Sequence, residues 1–177
     1  NKINQGKMSI AGSLEEGEKY DKVIAGLDSL GYPQYEISNF AQAEYESMHN
    51  KTYWLNEPYI GAGAGSHGYT GDVRYYNIKP VTHYINSMKE SGSVVKEKLV
   101  LTNNDKYEEE MFLGLRLNSG VSEQRFKDKF KVPVDLIYGD VLKELLAKKL
   151  LNRSGGYISL TEQGRMIGND VFAEFLL

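Results

Sequence analysis

Leu150-Leu151-Asn152-Arg153-Ser154-Gly155-Gly156-Tyr157-Ile158-Ser159-Leu160 reads as a β-hairpin. Two apolar-ended arms flank Ser-Gly-Gly, and glycine supplies the positive φ that a tight hairpin turn requires. Working outward, Pro133 opens a helix before the hairpin, with Ile137, Val141, Leu145 and Leu146 predicted to point inward. Gly120-Val121-Ser122 precedes it as a break, and Ser122 is placed to cap a short helix carrying Phe126 and Phe130. Thr102-Asn103-Asn104-Asp105 is a helix start. Glu108, Glu109 and Glu110 are expected to load acid into the first turn, where the dipole favours it. Beyond the hairpin, Thr161 caps a last helix containing Ile167, Val171 and Phe175. Three helices, a hairpin and a helix predict a mainly helical, winged-helix-like domain over residues 101–177.

Residues 1–100 read differently. Residues 1–12 look like a loop. In residues 14–30, Tyr20, Val23, Ile24, Leu27 and Leu30 recur at helical spacing, Gly31 is placed to cap, and Pro33 prevents continuation. Residues 35–40 follow as a short strand, and a helix turning directly into a strand is an α/β step. Residues 44–58 are polar, aromatic and irregular. Residues 59–65 read as a strand entering a glycine turn, and residues 74–77 as another short strand. Val81, Tyr84, Ile85 and Met88 make a second helical stripe closed by Gly92, with His83 off the stripe and facing water. The fold class expected is α/β followed by the helical domain, with the boundary near residue 100.

Composition excludes several functions. With 41% hydrophobic and 25% charged residues, the 177-residue chain is globular rather than disordered. It contains no cysteine, which removes disulfides, thiolate metal sites and cysteine nucleophiles. No apolar run approaches a membrane span, and the polar start has no signal-peptide core. A net charge of −3 gives no general pull toward nucleic acid. From residue 107 onward ten Lys/Arg face eleven Asp/Glu, so the winged-helix-like part lacks the basic footprint of a DNA reader; no nucleic-acid partner is expected. A cytoplasmic address is the default. The first residue is not Met, so a longer protein is expected to contain this chain.

Four segments carry a resemblance. They are Gly31-Tyr32-Pro33-Gln34-Tyr35-Glu36-Ile37-Ser38-Asn39-Phe40-Ala41, His49-Asn50-Lys51-Thr52-Tyr53-Trp54, Gly61-Ala62-Gly63-Ala64-Gly65-Ser66-His67-Gly68-Tyr69, and Leu113-Gly114-Leu115-Arg116 with Gly120-Val121. In this order the set resembles the oxygen-independent coproporphyrinogen III oxidase-like radical S-adenosylmethionine (SAM) family. The resemblance implies that residues 1–100 are the closing part of a partial (β/α) radical-SAM barrel. It also implies a four-iron–four-sulfur cluster and S-adenosylmethionine in the parent protein, held by a CxxxCxxC motif that this chain lacks. The His-Asn-x-x-Tyr-Trp segment resembles the haem chaperone (HemW) branch rather than the true oxidase (HemN) branch. That implies haem or porphyrin as ligand and a haem-accepting protein as partner.

On this resemblance His49 is the candidate ligand to haem iron, with Asn50, Tyr53 and Trp54 completing the haem-binding segment. A neutral imidazole is a good axial donor, and an aromatic neighbour can cover the macrocycle. The plainer alternative is that His49 and Asn50 cap a turn while Tyr53 and Trp54 fill the core. Gly61, Gly63 and Gly65 lack the Lys-Ser/Thr pair of a phosphate loop. They either leave space at an active-site mouth for S-adenosylmethionine or haem, or permit tight packing. His67, after that strand, is a second ligand or proton donor, or else a structural histidine. Glu36 and Asn39 are candidates to line the same mouth. The competing functions are oxidative decarboxylation of coproporphyrinogen III and a winged-helix interaction module.

Overall fold

A computed structural model describes residues 13–177, with side chains described from residue 17 onward; the loop expected at residues 1–12 lies outside the described residues. The chain divides into two compact units, one ending at Ser47 and one running from Met48 to Leu177. The boundary expected near residue 100 falls within the second unit, between a strand and a helix.

In the first unit, α1 (Ser13–Ser29) ends where Gly31 adopts φ +83° and Pro33 follows. Tyr20, Ile24 and Leu27 form its half-buried stripe, while Val23 and Leu30 stay exposed. The single strand expected over residues 35–40 is instead a small hairpin, β1 (Gln34–Glu36) antiparallel to β2 (Asn39–Phe40). Glu36 makes the turn: its fully buried carboxylate accepts from the Ser38 amide at 3.1 Å and from the Asn39 side chain. Helix and hairpin are joined by the Tyr20 hydroxyl, which donates to the Ile37 carbonyl at 2.7 Å and accepts from Gln34.

The second unit begins with α2 (Met48–Trp54). An antiparallel sheet follows, ordered β3 (His67–Thr70), β4 (Val73–Asn77), β5 (Val95–Val100), with α3 (Val81–Ser91) between β4 and β5. Gly92 caps α3 in the left-handed conformation, as its spacing predicts, yet Val81, Ile85 and Met88 remain largely exposed. No parallel strand pair is present among the described residues.

The C-terminal part follows the predicted winged-helix order. It comprises α4 (Asn103–Gly114), β6 (Val121–Ser122), α5 (Glu123–Phe130), α6 (Val134–Ala147), β7 (Leu151–Ser154) and β8 (Tyr157–Leu160), then α7 (Glu162–Met166) and α8 (Gly168–Ala173). The sheet order is β6-β8-β7, and Gly155 and Gly156 turn the hairpin at φ +58° and +80°. Met111, Leu115, Phe126, Val134, Tyr138, Leu142, Ile158 and Phe175 form the core. Three expectations shift. The buried face of α6 is Val134, Tyr138, Leu142 and Leu145; the backbone kinks at Tyr138 (φ −120°, ψ 15°), which shifts the face, and the Tyr138 hydroxyl donates to the Phe175 carbonyl at 3.1 Å. The last helix breaks at Ile167, which is exposed. Asp105, not Glu108 to Glu110, occupies the first turn of α4.

Thr102 and Asp105 form a reciprocal capping box: Thr102 accepts from the Asp105 amide at 3.2 Å, and Asp105 accepts from the Thr102 amide at 2.7 Å. Thr102→Ala is expected to cost about 1 kcal/mol. A urea titration checks this, and an unchanged midpoint refutes it.

On the hairpin, Arg153 donates to both Glu123 and Asp135. The Arg153 hydrogen bond holds the Asp135 carboxyl below the usual carboxylate range, against a smaller opposing effect of burial. A lowered folded pKa stabilises fully above the unfolded value near ~3.9 and loses that contribution as pH falls through the lowered one. Asp135→Asn should therefore destabilise at neutral pH, by under about 1 kcal/mol for so exposed a pair. The difference from wild type should close in acid. Denaturation midpoints at pH 7 and pH 2 measure it; a gap that widens in acid contradicts the assignment.

Candidate functional site

α2 is a short helix, with Thr52 donating to the Met48 carbonyl at 2.9 Å. It stops where Asn56 takes φ +50° and Pro58 follows. Four residues apart on a helix is one turn, so His49 and Tyr53 share a face. The exposed His49 ring meets Tyr53 edge-on, with centroids 4.9 Å apart and planes at 87°. Tyr53 in turn meets Tyr59 at 4.6 Å and 80°. Among the described residues no hydrogen bond engages either imidazole nitrogen of His49. Asn50 is half-buried. Trp54 lies about 100° around the helix from Tyr53, and its half-buried ring carries the Arg116 guanidinium 5.3 Å from the centroid.

A charged network holds the far end of α2. Lys129 pairs with the buried carboxylate of Glu110 at 2.7 Å and donates to the Asn56 carbonyl at 3.1 Å. Arg125 donates to the Leu55 carbonyl and pairs with Glu57 at 3.0 Å. Arg74, over the Tyr69 ring at 4.5 Å, donates to both Glu109 oxygens at 2.6 and 2.7 Å and to the Asn56 side chain at 3.1 Å. Burial works against the Arg74 cation, but the Glu109 hydrogen bond and charge outweigh it and hold its pKa above the ordinary value. Burial, reinforced by Glu109, pushes the Tyr69 phenol up. Residues 55–57 are thereby fastened to β4, α4 and α5, while His49 stays in solvent at the start of the helix.

The strand expected over residues 59–65 is a loop; only Tyr59 pairs, bridging Tyr69. The cause is Asn77, which is buried and donates to the carbonyls of Gly61 at 3.2 Å and Gly63 at 3.1 Å and to Ser66 at 2.9 Å. Gly63 and Gly65 adopt positive φ, and a Cβ on Gly61 would lie 2.1 Å from the His67 carbonyl. At Gly61 the absence of a side chain serves that backbone approach. His67 opens β3, exposed and tilted over Tyr76 at 5.6 Å. It lines a cavity of about 780 Å³ with Tyr76, Lys79, His83 and Lys96, and His49 does not line that cavity. Glu36 and Asn39 direct their hydrogen bonds to the β1–β2 turn.

The candidate residues thus fall into separate groups. His49, Tyr53 and Tyr59 form one, the glycine loop with Asn77 another, and His67 with His83 a third. Sequence reasoning missed Tyr59, Asn77 and the contact of Arg116 with Trp54, although Arg116 sits in a segment already singled out. No cluster of three or more His, Cys, Asp or Glu able to hold a bare metal ion occurs among the described residues. Haem iron takes a histidine nitrogen as a ligand, and the solvent-facing imidazole of His49 has the chemistry to hold it. A four-iron–four-sulfur cluster does not fit a chain without thiolates.

Residues 101–167 match the family model described as "HemN C-terminal domain". The chain is 44% identical over 176 residues to "Heme chaperone HemW" of Bacillus subtilis, a match covering 99% of the chain and 46% of that protein. It is 40% identical over 177 residues to "Heme chaperone HemW" of Lactococcus lactis, covering 100% and 46%. A solved structure, "Coproporphyrinogen III oxidase (HemN) from Escherichia coli is a Radical SAM enzyme", is similar with a TM-score of 0.71 at 17% identity, over 98% of this chain and 44% of that one. The chain therefore spans a little under half the length of these relatives.

Proposed function

The chain belongs to the radical SAM family of the haem chaperone HemW and the oxidase HemN, and from that premise we propose that it presents a haem-binding surface built on α2. One observation carries this reading: His49 stands in solvent with its nitrogens unengaged, one helical turn from the Tyr53 ring. A bound haem would supply iron that takes a nitrogen donor. His49 would hold that iron through an imidazole nitrogen, while Tyr53 restrains the imidazole by its edge contact and the fastened 55–57 loop steadies the end of α2. Asn50 and Trp54 complete the segment.

In this reading residues 1–100 close a partial (β/α) barrel, and residues 101–177 form a covering winged-helix-like domain. The cluster and S-adenosylmethionine belong to sequence beyond these 177 residues. The ligand is haem or a related porphyrin, the partner is a haem-accepting protein, and the address is cytoplasmic. The oxidase alternative draws on likeness of fold to an enzyme only 17% identical, whereas the chaperone reading draws on 40–44% identity along the chain. A haemin titration of the full chain tests the proposal. A Soret band displaced from that of free haemin, with saturable binding, is expected; a spectrum that stays that of free haemin overturns it. Salt-sensitive binding of duplex DNA would instead favour a winged-helix adaptor.

A further inference from the structure

The segment Leu113-Gly114-Leu115-Arg116 has so far no part in the function. α4 ends at Gly114, and the short turn after it delivers Arg116 to the junction between α2 and α8. Its guanidinium carbon lies 5.3 Å from the Trp54 ring centroid and 4.9 Å from that of Phe172. A cation between two aromatic faces is attracted by both, and in a desolvated place the attraction strengthens. Trp54 directly follows Tyr53 in a helix of seven residues, so whatever fixes the indole fixes the rotation of the whole element. The direction in which His49 points follows from that rotation.

The junction is not the one that stability alone would build. Trp54 Nε1 and Arg116 Nε are both buried with no hydrogen-bond partner among the described residues. Unpaired buried donors carry a cost, and an aliphatic side chain between the two rings would avoid half of it. What the arginine adds is a directional hold on the indole plane. The charged network fastens the loop after α2, through Leu55, Asn56 and Glu57. Arg116 acts on the helix itself. We propose that Arg116 is a positioning residue for the α2 site, clamping Trp54 against Phe172 and so setting the orientation of His49; this rests on the haem reading of α2.

Trp54 is the only tryptophan in the chain, so its fluorescence reports this junction and nothing else. The experiment compares the full chain with Arg116→Met, which keeps the stem and removes the cation, and with Arg116→Lys, which restores a cation. It adds His49→Ala and the double variant Arg116→Met/His49→Ala. Far-UV circular dichroism and thermal melting confirm folding of each. Arg116→Met is expected to red-shift Trp54 emission and raise its acrylamide quenching in the ligand-free chain. It is also expected to weaken haemin binding about fivefold, with partial recovery in Arg116→Lys. Because Arg116 acts through His49, the double variant should bind no more weakly than His49→Ala alone; independent effects would multiply. Unchanged Trp54 emission, or multiplying losses, overturns the role of Arg116 while wild-type haemin binding stands. Failure of the wild type to bind haemin overturns the α2 reading and this role together, even if the emission shift is seen. Should Arg116→Met not fold, Phe172→Leu removes the opposing ring, and the same emission and haemin criteria apply.

Discussion

Lys129→Met is expected to lower the free energy of unfolding by about 3 kcal/mol, near the bottom of the range for breaking a buried ion pair. The Glu110 side chain is 5% exposed, and Lys129 is its close partner at 2.7 Å; Arg125 stands farther off at 3.8 Å. Removing the ammonium strands a charge with little access to water. Arg125 and the Asn56 amide at 3.5 Å offset part of that, which keeps the loss below the upper end. The same substitution frees the Asn56 carbonyl and loosens the loop behind α2. Adding Glu110→Leu should recover most of the lost stability, since an apolar pair in place of a buried ionic one is close to neutral. Urea denaturation of the two single variants and the double variant measures this. A loss below about 0.5 kcal/mol for Lys129→Met would mean that the pair behaves as a surface pair.

This network also marks where sequence reading stops. The hairpin at Gly155-Gly156, the Ser122 and Thr161 caps and the Gly92 stop were legible because each depends on residues a few positions apart. The acids at Glu109 and Glu110 read as a helix-dipole feature, but they lie beyond the first turn of α4 and are the partners of Arg74 and Lys129, 35 and 19 residues away. No local pattern announces such pairings. The loop at residues 59–65 teaches the same lesson. Its small residues fit a strand, but the Asn77 side chain takes the Gly61 and Gly63 carbonyls, and that competition is invisible until the fold brings Asn77 under the loop. In α6 the apolar residues offered more than one rotation, and the kink at Tyr138, whose hydroxyl bonds the Phe175 carbonyl, is not announced by the local pattern. For the site, residues 44–58 read as irregular, and it is the helix α2 that brings His49 beside Tyr53 one turn on. That His67 belongs to a different group needed the antiparallel pairing of β3 with β4, which sets it against Tyr76.

His49→Ala is expected to abolish the displacement of the Soret band and to weaken haemin binding tenfold or more, a change of at least about 1.4 kcal/mol. Losing the axial nitrogen removes an iron bond and leaves only contacts with the ring and its carboxylates. His49 is exposed and its ring contact is with Tyr53, so the variant should fold as the wild type does, and matching thermal melts would show it. Tyr53→Phe separates two roles of the tyrosine. It keeps the ring that meets His49 and Tyr59 and deletes only the oxygen. A spectrum like that of the wild type is expected, because the ring is what restrains the imidazole; a spectrum like that of His49→Ala would make the phenol oxygen the ligand. Trp54→Ala should weaken binding with little change in band position, since the indole supports the helix without facing the iron. The order of effects is therefore His49→Ala, then Trp54→Ala, then Tyr53→Phe. If His49→Ala leaves band position and affinity unchanged in a folded protein, His49 is not the axial ligand. The search then moves to His67 and His83, whose shared cavity of about 780 Å³ has room for a flat ligand and carries Lys79 and Lys96 to meet its carboxylates.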